Sequence, residues 1–352
     1  MAKLTSALIG CGAIAREHLT ALTELSGVEV VAVCDLSSAR AEAAAERFGI
    51  AKWYSSHEKL FAEMRPDMVH ITTPPSSHFA IAKDCLNAGL NVFCEKPITV
   101  DYLEFSILKK LALEKGCVLM ENQQMRFHSS IQRIHDLLES GKLGDILESQ
   151  VCISLHIFGA GSPYVDRNAP HFGMTLRGGV VGDFLPHIAY LAYLFTGRVN
   201  DVRTIWMKHT SDSPLPADEF RGFIKGERAT SYVSFSGNAQ PNGFWVRVTG
   251  TRMHVEVNLF EPPRITSRRF RPGEPALMTL VDGIVEARDT LRGSTAGFWR
   301  KLGGRSSYDG LLEIMEKTYH ALEMREPQPV PLEEIDDVAR LIDCFTRSEL
   351  KL

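Results

Sequence analysis

Three groups of residues in this chain have types and spacings that could do chemistry. The first is Gly10-Cys11-Gly12-Ala13-Ile14-Ala15, a G-x-G-x-x-A run followed by Asp35 at roughly the ~20-residue distance of a dinucleotide fingerprint. Gly10 allows a tight turn, Gly12 lets the backbone approach a pyrophosphate, and Ala15 permits close helix–strand packing. Ala13 and Ile14 then begin a helix whose unpaired N–H groups face the phosphates. Asp35 is placed to bind ribose hydroxyls and to repel a 2′-phosphate, which favours NAD. Ser37, Ser38 and Arg40 beside it leave NADP open. The second group is Cys94-Glu95-Lys96-Pro97, where a lysine at a strand end can point its ammonium at a cofactor or substrate. Pro97 stiffens the turn that aims it. The third is Asp183 and His187, one helical turn apart and able to converge on one ligand. A histidine beside a carboxylate suits proton transfer. The same pair also suits an aspartate facing a helix dipole and a core histidine, or two ligands of an ion, although no further ligand cluster accompanies them.

These groups need scaffolding, and the pattern supplies it. Apolar runs at Ser6–Ile9, Val28–Cys34, Met68–Thr72, Leu90–Phe93 and Val118–Met120 alternate with helical stretches. That repeat predicts a parallel sheet with crossover helices, an α/β Rossmann domain. Thr73-Pro74-Pro75 ends the third run as an extended loop at the sheet's carboxyl edge, where ligands bind in such sheets. Thr73 can offer a hydroxyl there, and Pro74 or Pro75 can pack on the nicotinamide or ribose. His78, just behind, reads either as a helix N-terminal residue facing solvent or the loop, or as a cofactor contact.

The strand–helix alternation stops near residue 121. We therefore expect a dinucleotide-binding domain over 1–121 and a second domain over 122–352. Period-two runs at Ile146–His156, Val202–Met207, Phe220–Ile224, Thr230–Phe235, Trp245–Thr249 and His254–Leu259 predict an α+β domain with a large, mostly antiparallel sheet. An apolar helix is expected over Ile188–Phe195; if it already includes Asp183 and His187, Pro186 belongs to its first turn. Tyr164, Arg167, Asn168 and His171 lie on the loop leading there and are candidate substrate contacts or a solvated connector. A basic, aromatic-rich stretch over 264–305 could grip a nucleotide diphosphate, or serve as a solvated arm or subunit contact. Two closing helices, Leu311–Leu322 and Leu332–Leu350, read as packing elements.

Composition narrows the partners. Lys plus Arg (39) nearly balance Asp plus Glu (43), which gives no support for nucleic acid or an anionic membrane. No apolar run approaches the ~18–20 residues of a membrane span, and no signal peptide is evident. Seven scattered cysteines without a C-x-x-C pair fit reduced, buried fillers and a cytoplasmic setting. No Tyr-x-x-x-Lys and no phosphate-loop motif occurs.

Taken in order, G-x-G-x-x-A, Asp35, Thr-Pro-x-x-x-His, Glu-Lys-Pro, Arg126-Phe127-His128, Gly-Lys-Leu-Gly-Asp-Ile and Gly-Gly-x-x-x-Asp-x-x-x-His resemble the glucose–fructose oxidoreductase/inositol dehydrogenase (Gfo/Idh/MocA) family. The resemblance runs to about residue 260 and departs from the family's usual pattern at Pro75 and Ser129. It implies a nicotinamide-binding Rossmann domain followed by an open-faced sheet domain, acting on carbohydrate or cyclitol hydroxyl/carbonyl pairs. It further implies that Lys96 polarises the reacting oxygen and helps hold the nicotinamide, that His187 is the general acid/base, and that Asp183 orients it or binds a substrate hydroxyl. Glu95 and Arg126 would line the cofactor–substrate cleft. A dimer or tetramer would fit the exposed sheet. The competing readings are an enzyme of nucleotide-linked sugars and a nicotinamide-binding sensor without turnover.

Overall fold

Alternating apolar runs and helix-period stretches become two separate sheets. The computed structural model describes residues 3–159, 162–164, 171–261, 266–269, 310–347 and a few isolated positions between 273 and 295. The chain divides into two compact units, residues 1–124 with 308–340, and residues 125–307 with 341–352.

In the first unit, β1 (Leu4–Ile9), β2 (Val28–Cys34), β3 (Trp53–Tyr54), β4 (Met68–Ile71), β5 (Asn91–Cys94) and β6 (Leu119–Glu121) form one sheet in the order β3-β2-β1-β4-β5-β6. Every pairing is parallel. The central strands read as continuous apolar runs because both their faces are covered: Ala7, Leu8, Val69, Ile71, Val92 and Phe93 have no exposed surface. The covering helices are α1 (Ala13–Glu24), α2 (Ser38–Phe48), α3 (His57–Glu63), α4 (Pro75–Asn87) and α5 (Tyr102–Lys115). Leu19 and Leu22 bury the inner face of α1, each adding about 1.5–3 kcal/mol. Pro75 is the first residue of α4, not part of an extended loop. Its missing N–H costs nothing there, because that donor has no helical partner.

The closing helices α8 (Leu311–Met324) and α9 (Leu332–Arg347) correct the single cut expected after residue 121, because residues 308–340 belong to the first unit. Tyr319 of α8 bonds His70 of β4 at 3.0 Å. Asp336 of α9 takes hydrogen bonds from Lys109 and Tyr102 of α5, and Lys109 also meets Glu333. Burial opposes the charge on Asp336, yet Lys109, Tyr102 and Arg340 together hold its carboxyl below the usual range.

The second unit carries α6 (Ser129–Glu139), α7 (Val180–Thr196) and seven strands: β7 (Ile146–Ser154), β8 (Val199–Met207), β9 (Glu219–Gly226), β10 (Thr230–Ser236), β11 (Gly243–Gly250), β12 (Met253–Asn258) and β13 (Thr266–Arg269). Their order is β13-β12-β11-β7-β10-β9-β8, antiparallel except for β7 with β10. Along β10 and β11 buried residues alternate with half-buried ones, and α7 packs against β7, β10 and β9, with Phe184 stacked on Phe235 of β10. Helix α7 starts earlier than expected, so Pro186 sits inside it. Gly178 and Gly179 turn the chain into the helix at positive φ. A side chain at Gly182 would strike the carbonyl of Arg177. No helix among the described residues is long and apolar enough to cross a membrane.

Candidate functional site

Each unit carries its own set of candidate residues. In the first unit the glycine-rich loop joins β1 to α1. Gly10 has φ +100°, and a Cβ there would lie 2.7 Å from the backbone nitrogen of Thr73. Its own N–H donates to Cys34 O at 2.7 Å. The β4–α4 loop is thus packed directly against this turn, and Thr72 Oγ1 locks it by donating to Gly10 O at 2.6 Å. Gly12, by contrast, opens onto empty space. It is the N-cap of α1 and offers no side-chain cap, so the first-turn N–H groups beginning at Ala13 and Ile14 have no capping side chain.

Asp35 follows β2 and stands beside the loop. Its Oδ2 accepts the N–H of Cys11 and its Oδ1 the N–H of Ser37, both at 2.8 Å. Burial and the Asp35 charge push the Cys11 thiol up to about 12 and the Cys34 thiol to about 11. Both are protonated fillers near neutral pH, not nucleophiles. Thr73 is half-buried, and its hydroxyl accepts from Ser77 at 2.8 Å. Pro74 is exposed at the loop tip.

His78 does not face solvent. It is fully buried, with Nε2 2.7 Å from Thr73 O and Nδ1 2.8 Å from Pro97 O. It therefore ties the Thr73–Pro74 loop to the Glu95-Lys96-Pro97 turn. Burial lowers its pKa despite two carbonyls that favour the charged ring.

Glu95 and Lys96 leave the carboxyl end of β5. Glu95 Oε1 meets His18 Nε2 at 2.7 Å and accepts from Asn122 Nδ2 at 2.6 Å. Its Oε2 accepts the Lys96 N–H at 3.2 Å. Burial alone would raise this carboxyl, but His18, Asn122 and the Lys96 charge bring it down to about 2. The neighbouring carboxyl of Glu121 goes the other way, raised chiefly by burial and also by the charge of Glu95. Glu121 Oε1 accepts the N–H of Ile98 at 3.0 Å and so fixes the far side of the same turn.

In the second unit Asp183 is buried in the first turn of α7, and His187 is half-buried one turn later. His187 Nδ1 lies 2.7 Å from the hydroxyl of fully buried Tyr190, which also accepts the Met125 N–H at 3.3 Å. A tyrosine hydroxyl can donate to Nδ1 or accept from it, so Tyr190 can hold His187 in either form that acid/base work requires. Arg126 lies in a short 3-10 turn, Gln124–Phe127, and its carbonyl accepts from Gln132. Tyr164 is half-buried, edge-on to His171 with ring centroids 4.8 Å apart and to Phe184 of α7 at 6.1 Å. Arg167 and Asn168 lie outside the described residues, as does most of 264–305. Among the described residues no group of three or more His, Cys, Asp or Glu side chains is arranged to hold a metal.

The structure thus gathers Gly10, Gly12, Asp35, Thr73, His78, Glu95 and Lys96 into the first unit, and Arg126, Tyr164, Asp183 and His187 into the second. Sequence reasoning missed His18, His70, Thr72, Glu121, Asn122 and Tyr190. The available signal for His18 was its place beside Leu19 and Leu22 on the buried face of α1.

Comparison with known proteins agrees with this architecture. A family model described as an oxidoreductase family with an NAD-binding Rossmann fold matches residues 4–123. The D-apiose dehydrogenase of Paraburkholderia graminis is 30% identical over 227 residues, covering 59% of this chain and 58% of that protein. The inositol 2-dehydrogenase of Salmonella typhimurium is 33% identical over 147 residues, 41% of this chain and 44% of that protein. The chain thus spans about two to three fifths of the length of these curated relatives. Among solved structures, the WlbA dehydrogenase of Bordetella pertussis, in complex with NADH and UDP-GlcNAcA, superimposes with a TM-score of 0.77 at 19% identity, covering 99% of this chain and 97% of that one. That likeness is one of fold.

Proposed function

We propose that the chain is an NAD(P)-dependent oxidoreductase of sugars or cyclitols in the Gfo/Idh/MocA family, a reading supported by the match of its residues 4–123 to the NAD-binding Rossmann model. It moves hydride between nicotinamide and a hydroxyl/carbonyl pair. The observation that carries this reading is the Glu95–Lys96 turn. A lysine stands at the carboxyl end of β5, beside a carboxylate held ionised, in the same unit as the uncapped N-terminus of α1.

The first-turn N–H groups of α1 and the space above Gly12 would receive the pyrophosphate, and Asp35 the adenosine ribose. When bound, the nicotinamide supplies the hydride acceptor or donor. Lys96 stabilises negative charge developing on the substrate oxygen, and His187 exchanges the hydroxyl proton. Tyr190 holds the His187 ring for that exchange. Asp183, Arg126 and Tyr164 supply polar contacts to the substrate. NAD is favoured because the Asp35 carboxylate repels a 2′-phosphate.

A second reading takes a nucleotide-linked sugar as substrate, favoured by the likeness to the UDP-GlcNAcA complex of WlbA. Ile205, Met207 and Phe223 are exposed on the outer face of β8 and β9, a surface suited to a second copy of the chain and so to a dimer or tetramer. All seven cysteines are unpaired, which fits a reducing cytoplasm.

The test follows nicotinamide absorbance with NAD⁺ and NADP⁺ against free sugars, inositols and nucleotide sugars, and the reverse reaction with keto-sugars. Turnover with one class is expected, and Lys96→Ala should lower kcat by about 10²-fold or more while dinucleotide affinity stays within about tenfold. Undiminished turnover in that variant would overturn the role of Lys96. Tight dinucleotide binding without turnover on any substrate would favour the sensor.

A further inference from the structure

Within the first unit four buried side chains, far apart in sequence, form one hydrogen-bonded line. Glu95 Oε1 lies 2.7 Å from His18 Nε2, His18 Nδ1 lies 3.2 Å from His70 Nδ1, and His70 Nε2 lies 3.0 Å from the Tyr319 hydroxyl. His18 and His70 have no exposed surface. The line begins in the turn that carries Lys96 and ends in α8, the first of the two closing helices.

We propose that His18 is a positioning residue for the Glu95–Lys96 turn, held in a defined tautomer by His70 and by Tyr319 of the C-terminal segment. The proposal rests on the role assigned above to Lys96. Glu95 binds the peptide N–H of Lys96 with one oxygen and His18 with the other, so the ring that fixes this carboxylate also fixes the backbone from which Lys96 projects.

The contact between two Nδ1 atoms restricts the line severely, because only one proton can lie between them. Glu95, being ionised, accepts, so His18 Nε2 carries a proton. If His18 is neutral, its Nδ1 is bare. His70 must then donate from Nδ1 and accept the Tyr319 O–H on Nε2. If His18 is charged, its Nδ1 donates, and His70 must accept on Nδ1 and donate from Nε2 to Tyr319. Burial and the neighbouring His18 hold the His70 pKa well below the ordinary value, so His70 is neutral in both arrangements. The two states differ by one proton, and the tautomer of His70 reports which is present. In both, Glu95 keeps its N–H donor.

Other charged or titratable groups also act on Glu95: Lys96 next to it, Glu121 from β6, and His78 from α4. Asn122 adds a neutral donor to the same oxygen as His18. Asp67 acts on Tyr319 at the far end. His18 donates an N–H to the Glu95 carboxylate.

Two measurements on the cofactor-free protein test the proposal, and turnover adds a third. Nitrogen NMR of ¹⁵N-histidine-labelled protein across the accessible pH range should find His70 protonated on Nδ1 wherever His18 is neutral and on Nε2 wherever His18 is charged. Any pH at which that pairing breaks overturns the line. Denaturant unfolding against pH then compares two amide substitutions. In His18→Gln the amide falls near Nε2 and keeps the donor to Glu95. In His18→Asn it falls near Nδ1, keeps contact with His70 and leaves Glu95 with only Asn122 and the Lys96 N–H as donors. The acid limb of stability should move up by about one pH unit or more in His18→Asn and by clearly less in His18→Gln, which keeps the hydrogen bond to Glu95 and loses only the charge of the ring. The acid limb of kcat/KM should follow the same order. A merely structural histidine predicts equal shifts in both variants, and that result overturns the positioning role. A wild type that meets both cofactor-free tests yet turns over no substrate refutes the oxidoreductase reading alone.

Discussion

Gly10 and Gly12 stand two residues apart in one loop, and their substitution by alanine should fail in different ways. At Gly12 the backbone has φ −78°, ordinary for any residue, and a methyl meets nothing within 4 Å. Gly12→Ala should therefore shift folding stability by no more than about 1 kcal/mol, the scale of an exchange at a helix N-cap. The same methyl would occupy the space proposed for the pyrophosphate. Pushing a charged phosphate off one backbone N–H group forfeits about 1.5–3 kcal/mol, so NADH affinity should fall by about tenfold to a hundredfold or more. At Gly10 the φ of +100° alone costs an L-residue about 1–2 kcal/mol. The Cβ would also lie 2.7 Å from Thr73 N and 2.8 Å from Thr72 C, and backbone atoms yield little, which adds about 1–3 kcal/mol of overpacking. Gly10→Ala should lose about 2–5 kcal/mol, a large share of a typical ~5–15 kcal/mol stability. Urea unfolding and a fluorescence titration with NADH read the two quantities on the same preparations. A folded Gly12→Ala protein that binds NADH as wild type would remove the pyrophosphate from this loop. A Gly10→Ala protein as stable as wild type would refute the close approach to the β4–α4 loop.

Two further outcomes follow from charge. Asp35→Asn should raise the NADPH-to-NADH affinity ratio by about tenfold or more, since a like charge facing the 2′-phosphate is removed; an unchanged ratio in paired titrations would place discrimination elsewhere. Lys109→Met should destabilise the protein by about 1–3 kcal/mol near neutral pH by leaving Asp336 with fewer donors. Because the folded pKa of Asp336 is depressed, its stabilisation is fully present above the unfolded value of ~3.9 and is lost as pH falls through the folded one. The difference between variant and wild type should therefore narrow on acidification, and urea midpoints from pH 7 down to 3 check it.

The parts of the molecule that local chemistry dictates were legible in the chain. A strand, a glycine turn and a helix are neighbours in sequence, so the fingerprint around Gly10 and Gly12 could be read directly. Period-two runs likewise announced the second sheet, where the alternation of buried and half-buried residues is preserved along β10 and β11. What stayed hidden depends on long-range closure. His70 and Tyr319 are 249 residues apart, and α8 read only as an amphipathic packing helix because nothing local says which sheet it joins. The same blindness placed residues 308–340 in the wrong domain. Pro186 was misplaced for a related reason: the start of α7 is set by Gly178 and Gly179 at positive φ and by the close approach of Gly182 to Arg177, not by the proline. A buried histidine is the clue that sequence does offer, since an imidazole on an apolar helix face must find partners for both nitrogens. His18 stands next to Leu19 on the inner face of α1, and its two nitrogens find the carboxylate of Glu95 and the ring of His70. Asking where each core histidine discharges its two nitrogens leads from α1 to the Glu95–Lys96 turn in one direction and, through His70, to α8 in the other.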